Sequence, residues 1–221
     1  MKLQTIKEKS NTNEIEVSDD KFYLIIKRSF DFISSLLGLI IFSPLMGIIA
    51  ILIKLDSKGP IIFGHDRIGK NGEGIKVYKF RSMVENAQEV FNNFTEEQKE
   101  EFNKNFKLEN DPRITKVGNF LRKTSLDELP QLWNIVKGDM SIVGPRPIVK
   151  KEVDKYGSSF KRVFSVKPGL TGYWQANGRS ETTYDERVNM DLYYANNRSL
   201  SLDISIIFKT IKAVIKKDGA F

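Results

Sequence analysis

Residues 27–59 read KRSFDFISSLLGLIIFSPLMGIIAILIKLDSKG, and the 22 residues between Asp31 and Lys54 are uncharged and mostly apolar. As a helix this run reaches about 33 Å at 1.5 Å per residue, which matches a hydrocarbon core about 30 Å thick. A buried helix of a soluble protein is the alternative. Two details complicate a simple span. Pro44 removes a backbone donor and clashes with the carbonyl four residues earlier, so a kink is expected at Ser43-Pro44. Positive charge flanks both ends, Lys27 and Arg28 before and Lys54 and Lys58 after, so the positive-inside rule assigns no orientation. A helix that enters, bends at Ser43-Pro44 and returns to the same face satisfies both, with Ser43 bonding the freed carbonyl. A kinked helix that spans fully fits the residues equally well.

Working outward, residues 1–20 are polar and mixed in charge. They read as a loosely ordered tail rather than a signal peptide. After the apolar run, IIFGHDRIGKNGEGIKVYKFRSM (61–83) reads as two strands about a glycine-rich turn, with Asn71-Gly72 as the hairpin signal. GKNGEG lacks the spacing of a phosphate-binding P-loop and sits between strands. Residues 84–110 carry phenylalanines at 91, 94, 102 and 106, the pattern of a helix with one apolar edge. Further helical patterning follows over 111–140. Residues 145–175 are punctuated by proline and glycine and read as loops, which often hold site residues. In SLDISIIFKTIKAVIKK (201–217), Ile204, Ile207, Phe208, Ile211 and Ile215 share one helical face. That face lies either on the core or on an anionic membrane.

Among 221 residues there is no cysteine and one histidine, His65. Disulfides, thiolate nucleophiles and Cys-ligated zinc are excluded. His65 has no nucleophile elbow to serve, so a non-catalytic role is expected for it. The available chemistry is that of carboxylates, lysine, tyrosine and hydroxyls, with or without a hard cation. The formal charge of +7 suits phosphorylated substrates, anionic lipid or nucleic acid. A nucleic-acid binder has no use for the apolar run. A non-enzymatic membrane adaptor would use the basic and amphipathic faces but leaves the acidic pair described next without a purpose.

That pair is Asp127 and Glu128, in SLDELP (125–130). Ser125-x-x-Glu128 and Thr124-x-x-Asp127 have the form of capping boxes. Leu126, Leu129, Trp133 and Val136 supply a stripe behind them. The same geometry serves chemistry. A carboxylate at a helix N-terminus is held ionised by the dipole, can attack phosphorus and can bind Mg²⁺. Pro130 stiffens the turn. Such a nucleophile needs cations, and Arg81, Arg122, Arg146 and Arg179 are the candidates, since the guanidinium fork suits phosphate. Trp174 either stacks on a base or supports the fold.

The chain resembles the bacterial sugar transferases that prime glycan synthesis, the monotopic polyprenyl-phosphate phosphoglycosyl transferases. The resemblance rests on KRSFD (27–31), FSP (42–44), YKFRSM (78–83), DPRITKVGNFLRKTSLDELPQLWNIVKGDMSIVGPRP (111–147), VKPGLTGYWQANGR (166–179) and the DLYY pattern from 191. It covers residues 21–221. It implies transfer of a sugar 1-phosphate from a UDP-sugar to undecaprenyl phosphate with release of UMP. Asp127 would be the nucleophile that forms a phosphosugar–aspartate, with Mg²⁺ at Asp127 and Glu128 assisting. Arg122, Arg146 and Arg179 would hold phosphates. Trp174, Gln175 and Asn177 would lie near the nucleotide. Ser43-Pro44 matches the family's re-entrant break, and Lys27 and Arg28 would anchor at headgroups of the cytoplasmic leaflet. The implied fold is α+β and mostly helical: a tail (1–20), a re-entrant membrane helix-break-helix (21–58), and a small cytosolic α/β catalytic domain (59–221) with a β-hairpin and interfacial amphipathic helices. Larger relatives carry an N-terminal multi-span region, so the chain reads as a minimal catalytic form. GRSETTYDERV and the GAF ending point to hexose 1-phosphate, with N-acetylated sugars as the alternative. A homodimer is one option for its assembly.

Overall fold

The computed structural model describes residues 21–105, 108, 110–178 and 182–215; the tail 1–20, Phe106 and Arg179 lie outside them. Helix α1 runs from Lys21 to Asp56, 36 residues with Pro44 inside. It is long and apolar enough to cross a membrane. Its burial is inverted relative to a soluble helix. Tyr23, Asp31 and Ser35 face the protein in its first half, while Ile25, Ile33, Leu37, Ile40, Ile41, Ile51 and Leu55 are exposed. An apolar surface of this extent marks a face for something other than water.

The first half docks through polar groups. Lys27 Nζ lies 2.7 Å from Asp203 Oδ2, and the Tyr23 hydroxyl donates to the same oxygen. Arg28 donates to the carbonyls of Ile135 and Val136 at 2.7 and 2.8 Å. The Ile142 N–H donates to Asp31 Oδ1 at 3.0 Å. The second half docks through Ile49 and Ile53, packed with Phe80 and Leu121. It ends where the Arg81 guanidinium donates to the carbonyls of Ile53, Ser57 and Lys58. Both ends of α1 therefore rest on one globular body, and residues 40–44 between them are exposed.

At the expected break, α1 is helical on both sides of Pro44, and the Ser43 hydroxyl donates to the Ile40 carbonyl at 2.8 Å. That is the carbonyl Pro44 deprives of its donor. Lys27 and Arg28, expected at lipid headgroups, direct their charges to Asp203 and to the end of a later helix, because those buried acceptors need donors.

Strands β1 (Ile62–Ile68) and β2 (Gly74–Phe80) pair antiparallel, from Ile62↔Phe80 to Ile68↔Gly74. Asn71 and Gly72 take positive φ in the turn, as the hairpin reading requires. The expected phenylalanine helix is two helices, α2 (Ala87–Asn92) and α3 (Glu96–Asn105). Thr95 and Gln98 bond each other's backbone N–H groups, a capping box that starts a new helix. Phe91, Phe94 and Phe102 gather around the Arg113 guanidinium at 5.1–5.2 Å. Helix α4 (Lys116–Lys123) is capped by Thr115, and α5 (Gln131–Lys137) follows after the acidic turn.

Strand β3 (Ser141–Val143) pairs parallel with β4 (Gly169–Thr171); the short helices α6 (Val153–Tyr156) and α7 (Phe160–Val163) lie between them in sequence. Helices α8 (Tyr173–Asn177), α9 (Tyr184–Asn197) and α10 (Leu200–Ile215) complete the described chain. The two small sheets are separate, so the fold is mostly helical. On α10 it is Ile206 that is buried against Val143 and Tyr194, while Ile204, Phe208 and Ile211 are exposed. Much of the expected apolar face of α10 thus points away from the core.

Candidate active site

The acidic turn is not a helix cap. Ser125 adopts the left-handed conformation (φ 55°) and its side chain caps nothing. The Thr124 hydroxyl donates back to the Phe120 carbonyl. The left-handed step turns the chain out of α4 into a 3₁₀ turn at Leu126–Glu128, with Leu126 and Leu129 packed on the Phe80–Leu121 cluster. Asp127, between these leucines, is buried at 7% exposure. Pro130 (φ −62°) leads directly into α5.

Helix α5 is registered on β2 by Asn134, which is fully buried. Its Oδ1 accepts from the Tyr78 N–H at 2.9 Å, and its Nδ2 donates to the Lys76 carbonyl at 2.7 Å. The amide thus completes the strand's free edge as another strand would. The next residue of β2, Lys79, is brought onto the acidic turn. Its Nζ stands 2.6 Å from Glu128 Oε1 and 3.7 Å from Asp127 Oδ2. Arg122 Nε donates to Ser82 Oγ at 2.8 Å, and the Arg122 charge also acts on Asp127.

The two carboxylates are poised differently. Burial pushes Asp127 up; Lys79 and Arg122 oppose that, and the Glu128 charge adds to it. Glu128 is held below the usual range: burial would raise it, but the Lys79 charge and hydrogen bond, with Arg146, outweigh burial. The expectation that a helix dipole keeps Asp127 ionised is replaced by cations held against it from β2 and α4. Asp127 is the more basic carboxylate, the better nucleophile once ionised.

The structure gathers Asp127, Glu128, Arg122 and Arg146 in one electrostatic neighbourhood. Arg146 is exposed between the buried Pro145 and Pro147. Arg81, expected to bind phosphate, instead closes the C-terminal end of α1. Asn177 donates to the Tyr173 carbonyl and accepts from Lys209 Nζ at 2.6 Å, tying α8 to α10. The Trp174 ring packs under the Arg187 guanidinium, and Gln175 Oε1 is buried without a hydrogen bond. Sequence reasoning missed Lys79 and Asn134. A lysine between two aromatics on a strand, Tyr78-Lys79-Phe80, was the available signal. Asn134 carried none.

No cluster of three or more metal-ligating side chains exists among the described residues. Asp127 and Glu128 do supply the one or two carboxylates that Mg²⁺ uses when substrate phosphate completes its shell, so the donor set fits that ion.

Fold and site define a class: a globular body set on an apolar helix, with a buried aspartate and a half-buried glutamate under the charges of Lys79, Arg122 and Arg146. The chain belongs to the bacterial sugar transferase family, whose model matches residues 22–217. It is 50% identical over 199 residues to the undecaprenyl-phosphate galactose phosphotransferase of Salmonella typhimurium, covering 89% of this chain and 42% of that protein. It is 47% identical over 200 residues to the exopolysaccharide production protein ExoY of Sinorhizobium fredii, covering 89% and 88%. Against the UDP-glucose:undecaprenyl-phosphate glucose-1-phosphate transferase of Escherichia coli it is 43% identical over 197 residues, covering 85% and 39%. The chain thus spans less than half the length of the first and third of these relatives.

Proposed function

We propose that the chain transfers a hexose 1-phosphate from a UDP-sugar to undecaprenyl phosphate at the cytoplasmic face of a bacterial membrane, opening the synthesis of an exopolysaccharide or related glycan. The observation that carries this is the buried Asp127, held beside Lys79 and Arg122, in a chain whose relatives bear the names above. In the first step an Asp127 oxygen attacks the phosphorus bonded to the sugar. The bond from that phosphorus to the bridging oxygen breaks, and UMP departs with the electron pair. In the second, an oxygen of undecaprenyl phosphate attacks the same phosphorus, the bond to Asp127 breaks, and the carboxylate is regenerated. Lys79 and Arg122 stabilise ionised Asp127, and Arg146 offsets phosphate charge. Glu128, ionised and bonded to Lys79, positions that ammonium. Asp127 and Glu128 would hold Mg²⁺, which when bound offsets further phosphate charge.

The membrane placement draws on α1. Both its ends rest on one body while its outward face is apolar, which supports a helix that dips into one leaflet and returns. The names of the galactose and glucose relatives favour a hexose. An N-acetylgalactosamine transferase of Aeromonas hydrophila, 38% identical, keeps N-acetylhexosamine as the second reading. In nanodiscs with undecaprenyl phosphate and a panel of UDP-sugars, UMP release identifies the donor. Asp127→Asn should abolish release, and mass spectrometry of the wild-type protein given donor alone should find the phosphosugar on Asp127. Undiminished turnover in Asp127→Asn ends the nucleophile assignment.

A further inference from the structure

A second cation cluster adjoins the carboxylate pair. Arg67 comes from β1, Arg187 from the first turn of α9, and Arg146 from between its prolines. Glu152 bridges two of them: Arg67 Nη1 is 3.8 Å from its Oε2, and Arg187 Nη1 is 3.7 Å from its Oε1. The Arg67, Arg187 and Glu152 side chains are 16% exposed or less. The Arg187 guanidinium carbon lies 4.8 Å from the Trp174 ring centre and 5.1 Å from that of Tyr184. Its Nε and Nη2 are buried without a hydrogen-bond partner. Nearby, fully buried Asp191 accepts from the Tyr156 hydroxyl on one oxygen, and its other oxygen is unpaired.

Two guanidiniums thus share the Glu152 carboxylate, while Asp191, acted on by the Arg187 and Arg146 charges, is pushed up by burial to about 7. Burial and the charge of Arg146 together push Arg67 down to about 10, which is how a crowd of cations behaves without its anion. Buried charged donors left unpaired are costly, and a planar fork meets phosphate oxygens two at a time. The cluster is tied to the reacting carboxylates by charge: Arg146 acts on Glu128, and Glu128 on Arg67. None of its residues lies on α1, so a water-soluble phosphate suits it better than a lipid's.

We propose that Arg67 and Arg187, bridged by Glu152 and joined by Arg146, form the clamp for the nucleotide phosphate of the donor. This rests on the transfer reaction proposed above. The clamp would receive the charge that develops on departing UMP. Trp174 and Tyr184 keep Arg187 flat, and Glu152 keeps the two forks apart until the anion arrives.

The test is UMP binding, by calorimetry, to the full chain in nanodiscs with and without undecaprenyl phosphate. It uses variants that retain the wild-type melting temperature. Arg67→Gln and Arg187→Gln should each weaken UMP about tenfold or more. Glu152→Gln, which removes the competing charge and keeps an acceptor, should tighten UMP roughly threefold, a gain that misfolding cannot produce. Unchanged affinity in both arginine variants, weaker binding in Glu152→Gln, or displacement of UMP by undecaprenyl phosphate overturns the clamp. Wild-type UMP release alongside unchanged affinity in the arginine variants sinks the clamp and leaves the transfer reaction standing.

Discussion

Lys79 divides its charge unequally, in direct contact with Glu128 at 2.6 Å and more loosely with Asp127 at 3.7 Å. Of the groups opposing the burial of Asp127, it is the strongest. The native pKa of Asp127 is raised, so the ionised form that the proposed attack needs is lost as pH falls through that value. Lys79→Met should raise the Asp127 pKa further and shift the acid limb of UMP release upward by about one pH unit. An acid limb that stays in place in Lys79→Met contradicts this account of the site. At this scale the acidic pair itself was legible in SLDELP, but the letters of the capping box misled. Ser125 is used for its left-handed backbone, which a hydroxyl-bearing residue between Thr124 and Leu126 does not announce. Lys79 was hidden for another reason: it stands 48 positions before Asp127 in the chain.

Helices and strands hold that distance closed. Gly118 in α4 lies against the backbone at Ser82, where an added Cβ would come within 2.1 Å of the Ser82 carbonyl oxygen. Ser82 in turn holds Arg122. Gly118→Ala should therefore destabilise the protein by about 1–3 kcal/mol, as overpacking against immobile backbone does. Gly47→Ala, with nothing within 4 Å, should leave the melting temperature in detergent unchanged or slightly higher. Equal melting temperatures for the two variants would refute the close packing of α4 on the end of β2. The hairpin was legible because Asn71-Gly72 has a local conformational cause. The split of the phenylalanine segment had its signal in Thr95-x-x-Gln98, which the reading of a single helix over 84–110 passed over. The roles of Arg28 and Arg81 were not. Each closes the C-terminal carbonyls of a helix, and such groups accept whichever donor packing delivers.

On the scale of the whole molecule, α1 is the organising fact. A 36-residue helix is about 54 Å long at 1.5 Å per residue, yet both its ends meet the same body. The proposed dip of α1 into one leaflet puts residues 1–20 and the globular body on one side of the membrane. The chain has no cysteine, so single cysteines report cleanly. Ser10→Cys and Glu97→Cys should both resist an impermeant maleimide in intact cells and both react after lysis. Labelling of Ser10→Cys from outside would require α1 to span. What the sequence determined by itself was local: an apolar run too long and too uniform for a soluble surface, a glycine-bearing hairpin, and a carboxylate pair at a proline turn. Each follows from neighbours within a few residues. The tertiary structure decided which cations meet those carboxylates and which arginines are left with unpaired donors. Those meetings join β1, β2, α4, α5 and α9 across long stretches of chain, and charges so far apart in sequence are brought together only by the packing of the elements that carry them.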